Sequence, residues 1–440
     1  MSLKNLFSLG RDREEKPTAC GTACGSGNKK PTACGTACGS GDKKPAACGT
    51  ACGSGDKKPT ACGTAWGRGE INYVYTNTSP RARARGDALP SEGSDMEYFA
   101  FQWHITEACD QRCRHCYIYA LGSHARFQEM ALEDMLTVIR NCQTFCEKAG
   151  RLPYFYITGG DPILHPQFWT LLEILRIADI PFTIMGNPFH LTPEACRRMK
   201  DCGCRKYQLS LDGLRETHDG IRQQPGSYDA TMAAIPMLRE AGIDSAIMTT
   251  VSRWNVQDIP ALVDEVVAHR ADIFAFARYC PSPKDRDVCC SPEEYRDMLE
   301  QCWEKFRHYE AEGCETTFNL KDHLWTLFQY EKGLFDPGRY PDDGVVYDGC
   351  NCGNCHLTIL SDGAVYACRR MESKVGNALT DDLYDLFTGP EFDRYRVYEN
   401  FQKCARCELL RFCRGCPAVA AGYHGDMYAP DPQCWKEVGA

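Results

Sequence analysis

The sequence predicts an α/β protein built on a partial (β/α)6 barrel of the TIM type, and three observations predict it. Strand-like and helix-like segments alternate six times between residues 98 and 280, the pattern of a parallel sheet with crossover helices. A loop crowded with cysteines follows the first strand at once, at the strand end where such barrels carry their chemistry. The chain is 440 residues long and 43% hydrophobic, enough to fill a core of that size with room for further domains.

The elements follow in order. YFAFQWHI (98–105) reads as the first strand, and helical periodicity runs through 130–148. The strand YFYIT (154–158) is followed by a helix over 167–177, and PFTIM by a helix over 192–201. YQLSL precedes a helix over 229–241, SAIMTTV one over 258–268, and DIFAFA is the sixth strand. A largely helical stretch over 291–333 leads into a second field of cysteines. We divide the chain into a leader-like segment 1–16, a repeat 17–67, a linker 68–97, the barrel 98–280, a helical bridge 281–348 and a cysteine-rich domain 349–440.

The formal charge of −9 argues against nucleic acid as a partner. The 29 cysteines are the unusual number. The N-terminus lacks the continuous apolar stretch and small-residue cleavage site of a signal peptide, and no stretch approaches a membrane span. The expectation is a cytoplasmic protein, with no membrane partner, whose thiols stay reduced and serve metals or chemistry.

Residues 17–67 repeat with a period of 14, as PTACGTACGSGNKK, PTACGTACGSGDKK, PAACGTACGSGDKK and a truncated PTACGTAWGRG. Cysteines recur at Cys20, Cys34, Cys48 and Cys62, and four residues later at Cys24, Cys38 and Cys52, where the last unit has Trp66. Gly, Ala, Ser, Thr, Lys and Asp between them bury too little apolar area to offset about 1–2 kcal/mol of backbone entropy per residue. The segment is therefore expected to be disordered. A linker gains nothing from cysteines in strict register. A metal-buffering tail would use paired thiolates, and a modification substrate would use the cysteines as reactants. A flexible tether of about 35 residues spans roughly 30–35 Å, enough to bring the repeat to a site in its own chain.

Cys109-x3-Cys113-x2-Cys116 closes the first strand. Three cysteines in a short loop can hold three irons of a 4Fe–4S cluster and leave the fourth open, whereas a zinc site prefers four protein ligands. His115 reads as a loop residue. CDQRCRHCY resembles the signature of the radical S-adenosylmethionine superfamily. The resemblance implies that the open iron chelates S-adenosylmethionine, whose reductive cleavage yields a hydrogen-abstracting radical. Tyr117 is placed by it among the cofactor-binding residues. Gly159, Gly160 and Asp161, in TGGDP, resemble the family's GGEP motif with Asp in place of Glu. By the same resemblance Asn187 lies near the cofactor, Ser210 in LSLDG contacts its ribose, and Arg222 meets its carboxylate.

Farther on come Cys350, Cys352 and Cys355, then Gly363-x4-Cys368, then Cys404-x2-Cys407-x5-Cys413-x2-Cys416, and Cys434. Cys-x2-Cys pairs alone would suit zinc knuckles. The whole order is similar to a SPASM domain, which implies two auxiliary 4Fe–4S clusters. The resemblance gives Cys368 and Cys416 to the first, with one or two of Cys350, Cys352 and Cys355, and gives Cys404, Cys407, Cys413 and Cys434 to the second. The two-residue gap between Cys413 and Cys416 departs from the usual three. Ten cysteines outside these motifs read as free thiols, and of these Cys280, just past the sixth strand, is placed to reach the site.

A radical enzyme carrying ACG repeats resembles the radical SAM/SPASM proteins paired with ACGX-repeat peptides. That resemblance implies ribosomal-peptide maturation, with a thioether from a repeat cysteine as the expected product. Asp42 and Asp56 are the expected acceptors, and Thr22, Thr36 and Thr50 their rivals. The electron donor would be a flavodoxin or ferredoxin. The alternatives are thiol oxidation as in sulfatase-maturating enzymes, epimerisation, or a metal-binding scaffold with no reaction.

Overall fold

The structure is a computed structural model, and it describes residues 97–119, 128–341, 344 and 346–439. The leader-like segment, the repeat and the linker up to residue 96 lie outside the described residues.

The first strand, β1 (Glu97–Thr106), alternates large apolar residues with smaller or polar ones. Phe99, Phe101 and Trp103 are buried on one face, where Phe99 and Phe101 pack on Phe145 of α1 (Leu132–Ala149). Helix α1 ends at Gly150 in the left-handed conformation, and β2 (Arg151–Gly159) starts at the next residue. The barrel continues through α2 (Phe168–Ile177), β3 (Phe182–Met185), α3 (Pro193–Asp201) and β4 (Cys204–Ser210). It goes on through α4 (Arg215–Arg222), α5 (Ser227–Glu240), β5 (Asp244–Val251), α6 (Ile259–Ala268) and β6 (Ile273–Arg278). β1 to β6 pair in sequence order and in parallel.

The sheet is wider than six strands. After α7 (Pro292–Ala311), β7 (Thr317–Asn319) adds in parallel to β6 and leads to α8 (Leu324–Glu331). The stretch between barrel and cysteine-rich domain is thus not helical throughout. At the other edge β8 (His356–Ile359) lies parallel to β1, pairing Ala100–Trp103. β9 (Ala364–Tyr366) and β10 (Lys374–Asn377) extend it antiparallel. Gly363 makes the turn into β9 at φ +81, where a Cβ would meet Leu379 Cγ at 2.6 Å. Phe387 of α9 (Leu383–Thr388) meets Phe99 edge to face, so the C-terminal domain shares the first strand's core.

A buried ion-pair triad fastens that domain to the other end of the barrel sheet. Arg278, the last residue of β6, is fully buried. Its Nε donates to Asp322 at 3.0 Å and its Nη1 to Asp431 at 2.7 Å. Asp431 in turn accepts the Cys416 backbone N–H at 2.8 Å.

Candidate active site

The cysteine loop is held by backbone contacts that only glycine permits. The N–H of Gly160 donates to the Thr106 carbonyl and that of Asp161 to the Ala108 carbonyl. A Cβ on Gly159 would sit 2.1 Å from the Thr106 oxygen, and one on Gly160 2.2 Å from the Ala108 oxygen. Close approach is thus made to the residues leading into Cys109, which explains TGG at the end of β2.

Nitrogen donors from the loop after β3 and from the end of helix α4 reach the sulfurs. Asn187 Nδ2 lies 3.3 Å from Cys109 Sγ and 3.0 Å from Asp110 Oδ1. Arg222 Nη1 lies 3.6 Å from Cys113 Sγ, while its Nη2 pairs with Asp212 at 2.5 Å. Burial alone would raise the Asp212 carboxyl, but Arg222 beside it holds it below the ordinary range. Burial pushes the Cys109 thiol up to about 11 and raises Cys113 as well. Iron would replace those protons, and amide and guanidinium donors aimed at sulfur suit thiolates. Three thiols with two such donors therefore fit a cluster with one iron left open.

A second layer fixes this arrangement. The Asp212 N–H donates to His218 Nδ1 at 2.9 Å, so the other ring nitrogen carries the proton and donates to Ser227 Oγ. Gln111 of the cysteine loop donates to the same hydroxyl. Burial pushes His218 and His115 down to about 4, so both are neutral, and His115 faces Asp212 at 3.8 Å. Ser210 ends β4 half-buried, two residues before Asp212. Asp161 is fully buried, and burial, with Asp110 nearby, pushes it up to about 7. Its ligand atom lies within 4.8 Å of those of Asp110 and His190, which pair with each other at 3.0 Å.

The C-terminal thiols form two groups. Cys404, Cys407, Cys413 and Cys434 lie within mutual electrostatic reach. The Leu409 N–H donates to Cys407 Sγ at 3.5 Å and the Gly415 N–H to Cys413 Sγ at 3.4 Å. In the other group Cys352 lies beside Cys368, and Cys350 faces Cys368 and Cys416. The Cys352 N–H donates to Cys350 Sγ at 3.4 Å, the same two-residue pattern. Cys355, at the foot of β8, is buried. Each group offers soft thiol donors with backbone N–H partners, which fits an iron–sulfur cluster. Tyr117, next to Cys116, stacks under the guanidinium of Arg369, next to Cys368, at 4.4 Å, so the barrel loop and the C-terminal domain touch there.

The structure thus brings Cys109, Cys113, Cys116, Asn187 and Arg222 together, and gathers the expected C-terminal thiols. Sequence reasoning missed Asp212, His218 and Gln111, although Asp212 sits inside LSLDG and a carboxylate two residues past a strand end was the available signal. It also missed the Asp110–His190 pair and Arg370, whose Nη2 reaches Cys416 Sγ at 4.0 Å.

Fold and thiol groups together define a radical enzyme whose barrel cluster is joined to an auxiliary-cluster domain. Residues 103–266 match the model of the Radical SAM superfamily, and residues 350–417 that of an iron–sulfur cluster-binding domain, SPASM. Residues 1–57 and 44–70 match the ACGX-repeat peptide. The chain thus carries a radical SAM domain, a SPASM domain and an ACGX-repeat segment, and its cofactors are 4Fe–4S clusters and S-adenosylmethionine. Among curated proteins it is 27% identical to the AdoMet-dependent heme synthase of Nitratidesulfovibrio vulgaris, over 76% of this chain and 90% of that one. It is also 27% identical to the mycofactocin maturase MftC of Mycobacterium ulcerans, over 77% and 88%. Among solved structures it resembles Streptococcus suis SuiB, with a TM-score of 0.61 at 19% identity over 77% of each chain. It resembles anSMEcpe bound to AdoMet and the Kp18Cys peptide at 0.60 and 15%, over 77% and 94%. At these identities the structural likeness concerns the fold. Among the described residues, no helix is long and apolar enough to cross a membrane.

Proposed function

We propose that the enzyme matures a cysteine-repeat peptide, its own N-terminal repeat or a separate copy, by forming intramolecular thioether crosslinks. The observation that carries this reading is the fusion itself: an ACGX-repeat segment in one chain with a radical SAM barrel and SPASM domain. The names of two relatives point the same way, one a mycofactocin maturase and the other SuiB, solved with its precursor peptide SuiA. When bound, S-adenosylmethionine and the open-iron cluster supply hydrogen-atom abstraction from carbon.

The chain's own residues hold and screen that chemistry. Cys109, Cys113 and Cys116 would bind the cluster, with Asn187 and Arg222 donating to its sulfurs. Gly159, Gly160, Asp161, Ser210 and Tyr117 would line the S-adenosylmethionine site around it. The Asp212–Arg222 pair, buried and backed by His218, keeps a cation beside the cluster loop where a carboxylate of the cofactor can meet it. The SPASM thiols would hold two auxiliary clusters able to take the surplus electron. Asp42 and Asp56 are the acceptors favoured by their constant spacing from Cys38 and Cys52. An external reductant of the flavodoxin or ferredoxin class would start each turnover.

Anaerobic turnover of the full chain with dithionite and S-adenosylmethionine tests this. The expected result is 5′-deoxyadenosine together with loss of two hydrogens per crosslink in the repeat, and fragment ions silent inside each ring. 5′-Deoxyadenosine with an aldehyde in place of a cysteine would favour thiol oxidation. An unchanged repeat mass, in its own chain and in an added repeat peptide, would overturn the maturase reading.

A further inference from the structure

Cys280 belongs to neither cysteine motif, yet the fold delivers it to one. It lies two residues past Arg278, and Arg278 is locked to Asp431, which holds the backbone N–H of Cys416. On the other side, helix α10 (Pro417–His424), which begins right after Cys416, packs against the Cys280–Pro281 segment. A Cβ on Gly422 would fall 1.9 Å from the Pro281 carbonyl oxygen, so backbone meets backbone there. Between these two fixed points Cys280 and Cys368 both pack against the buried cluster of Cys416, Ala418 and Val419, which sets the Cys280 thiol beside that of Cys416. The Arg370 guanidinium faces Cys280, Cys416, Cys368 and Cys350 together, and donates to the Arg278 carbonyl at 3.1 Å. The same cation therefore addresses the barrel thiol and the SPASM thiols as one set.

We propose that Cys280 is a protein ligand of the first auxiliary cluster, contributed by the barrel and completing a set with Cys368, Cys416 and one sulfur of the Cys350/Cys352 pair. The Cys352 backbone N–H donates to Cys350 Sγ at 3.4 Å, a contact that suits a thiolate and favours Cys350 as that sulfur. The cluster then has four thiolates and no open iron at rest. A peptide thiol would then have to displace a protein thiolate to reach its iron. The inference rests on the SPASM domain holding that cluster.

The test uses the full chain with Cys109, Cys113 and Cys116 replaced by alanine, which leaves the auxiliary clusters alone in the spectrum. Iron content and electron paramagnetic resonance of this parent establish the clusters, and their absence would sink the SPASM reading rather than the Cys280 assignment. In the parent, added 2-mercaptoethanol or cyanide is expected to leave the reduced spectrum unchanged. In Cys280→Ala it is expected to shift the signal of one cluster and not of the other. Loss of that one cluster's iron with the second retained would equally support ligation. Cys280→Ser covers the case in which the alanine variant loses both clusters. A serine oxygen on iron changes the g-values of one cluster, and a parent spectrum would overturn the proposal. A Cys280→Ala spectrum identical to the parent and insensitive to added ligand would also overturn it.

Discussion

Replacing Arg278 by methionine should cost far more stability than the loss of any surface ion pair. Its side chain is 0% exposed, and Asp322 and Asp431 are 4% and 3% exposed. The substitution removes a cation that donates to all four carboxylate oxygens of the pair. Each aspartate keeps backbone donors, Asp322 from Leu324 and Asp431 from Cys416 and Gln433. Those donors hold the cost near the lower end of the range for breaking a buried ion pair, about 3 kcal/mol. At about 2.1 cal/mol/K per residue over the roughly 340 residues that the triad joins, that is a fall in Tm of about 4 °C. Lys305→Met is the comparison, because its pair with Asp264 is one-third to one-half exposed and is worth less than about 1 kcal/mol. The assay is anaerobic thermal unfolding of the iron-loaded chain by circular dichroism, at one scan rate for all variants. If Arg278→Met melts no earlier than Lys305→Met, the triad does not join the two domains as argued.

Two further outcomes follow from the site. His218 has a folded pKa of about 4 against an unfolded 6.5, so the unfolded chain takes the proton first as pH falls. The stability it contributes is complete above 6.5 and lost toward 4, and between pH 7 and 5 the loss is about 2 kcal/mol. His218→Gln should remove that part of the slope, seen as a smaller shift of the denaturation midpoint over the same pH interval; an unchanged slope would refute it. In Gly160→Ala the new methyl meets the backbone oxygens of Ala108 and Glu107 at 2.2 and 2.7 Å, an overlap that costs about 1–3 kcal/mol or more and pushes the loop ahead of Cys109. Iron at the barrel cluster and 5′-deoxyadenosine formation should fall while the auxiliary clusters remain, and parent-level iron at the barrel cluster would refute it.

The barrel was legible because its strands are buried on a helix-covered sheet and read as apolar runs. YFAFQWHI lies within β1 and SAIMTTV within β5, and the helices expected over 167–177 and 258–268 differ from the observed ones by a single residue at the start. What escaped was short or polar. β7 has three residues, and β8 and β9 lie between cysteines where turn and strand signals overlap. Helix α4, RETHDGIR, buries only His218, Ile221 and Arg222, so no apolar stripe announced the helix that carries Arg222. The motif cysteines stood out by their order, and the resemblance to the radical SAM signature and a SPASM domain gave them their grouping. Cys280 stood outside every motif, because Cys416 lies far along the chain and only the Arg278 clamp and the close approach of Gly422 to Pro281 bring the two together.

The short gap between Cys413 and Cys416 has a structural answer of the same kind. The two cysteines serve different groups, so the chain must reverse within two residues. It does so by placing both Arg414 and Gly415 in the left-handed region, at φ +62 and +61. For Gly415 this is free, and a Cβ there would meet Asp431 at 2.8 Å. For Arg414 it costs about 1–2 kcal/mol. The arginine offsets that cost by donating to the carbonyls of Asp348 and Cys350 at 2.8 and 3.0 Å and to that of Leu410. The residue that allows the shortened spacing thus also fixes the loop bearing Cys350, and Gly349 lets that loop approach the Cys413 carbonyl. Arg414 ties the two auxiliary groups to each other as Arg278 ties the first of them to the barrel. A departure from the family spacing is in this way compensated by one buried cation, and the positions of the two thiol groups become a single coupled feature of the fold.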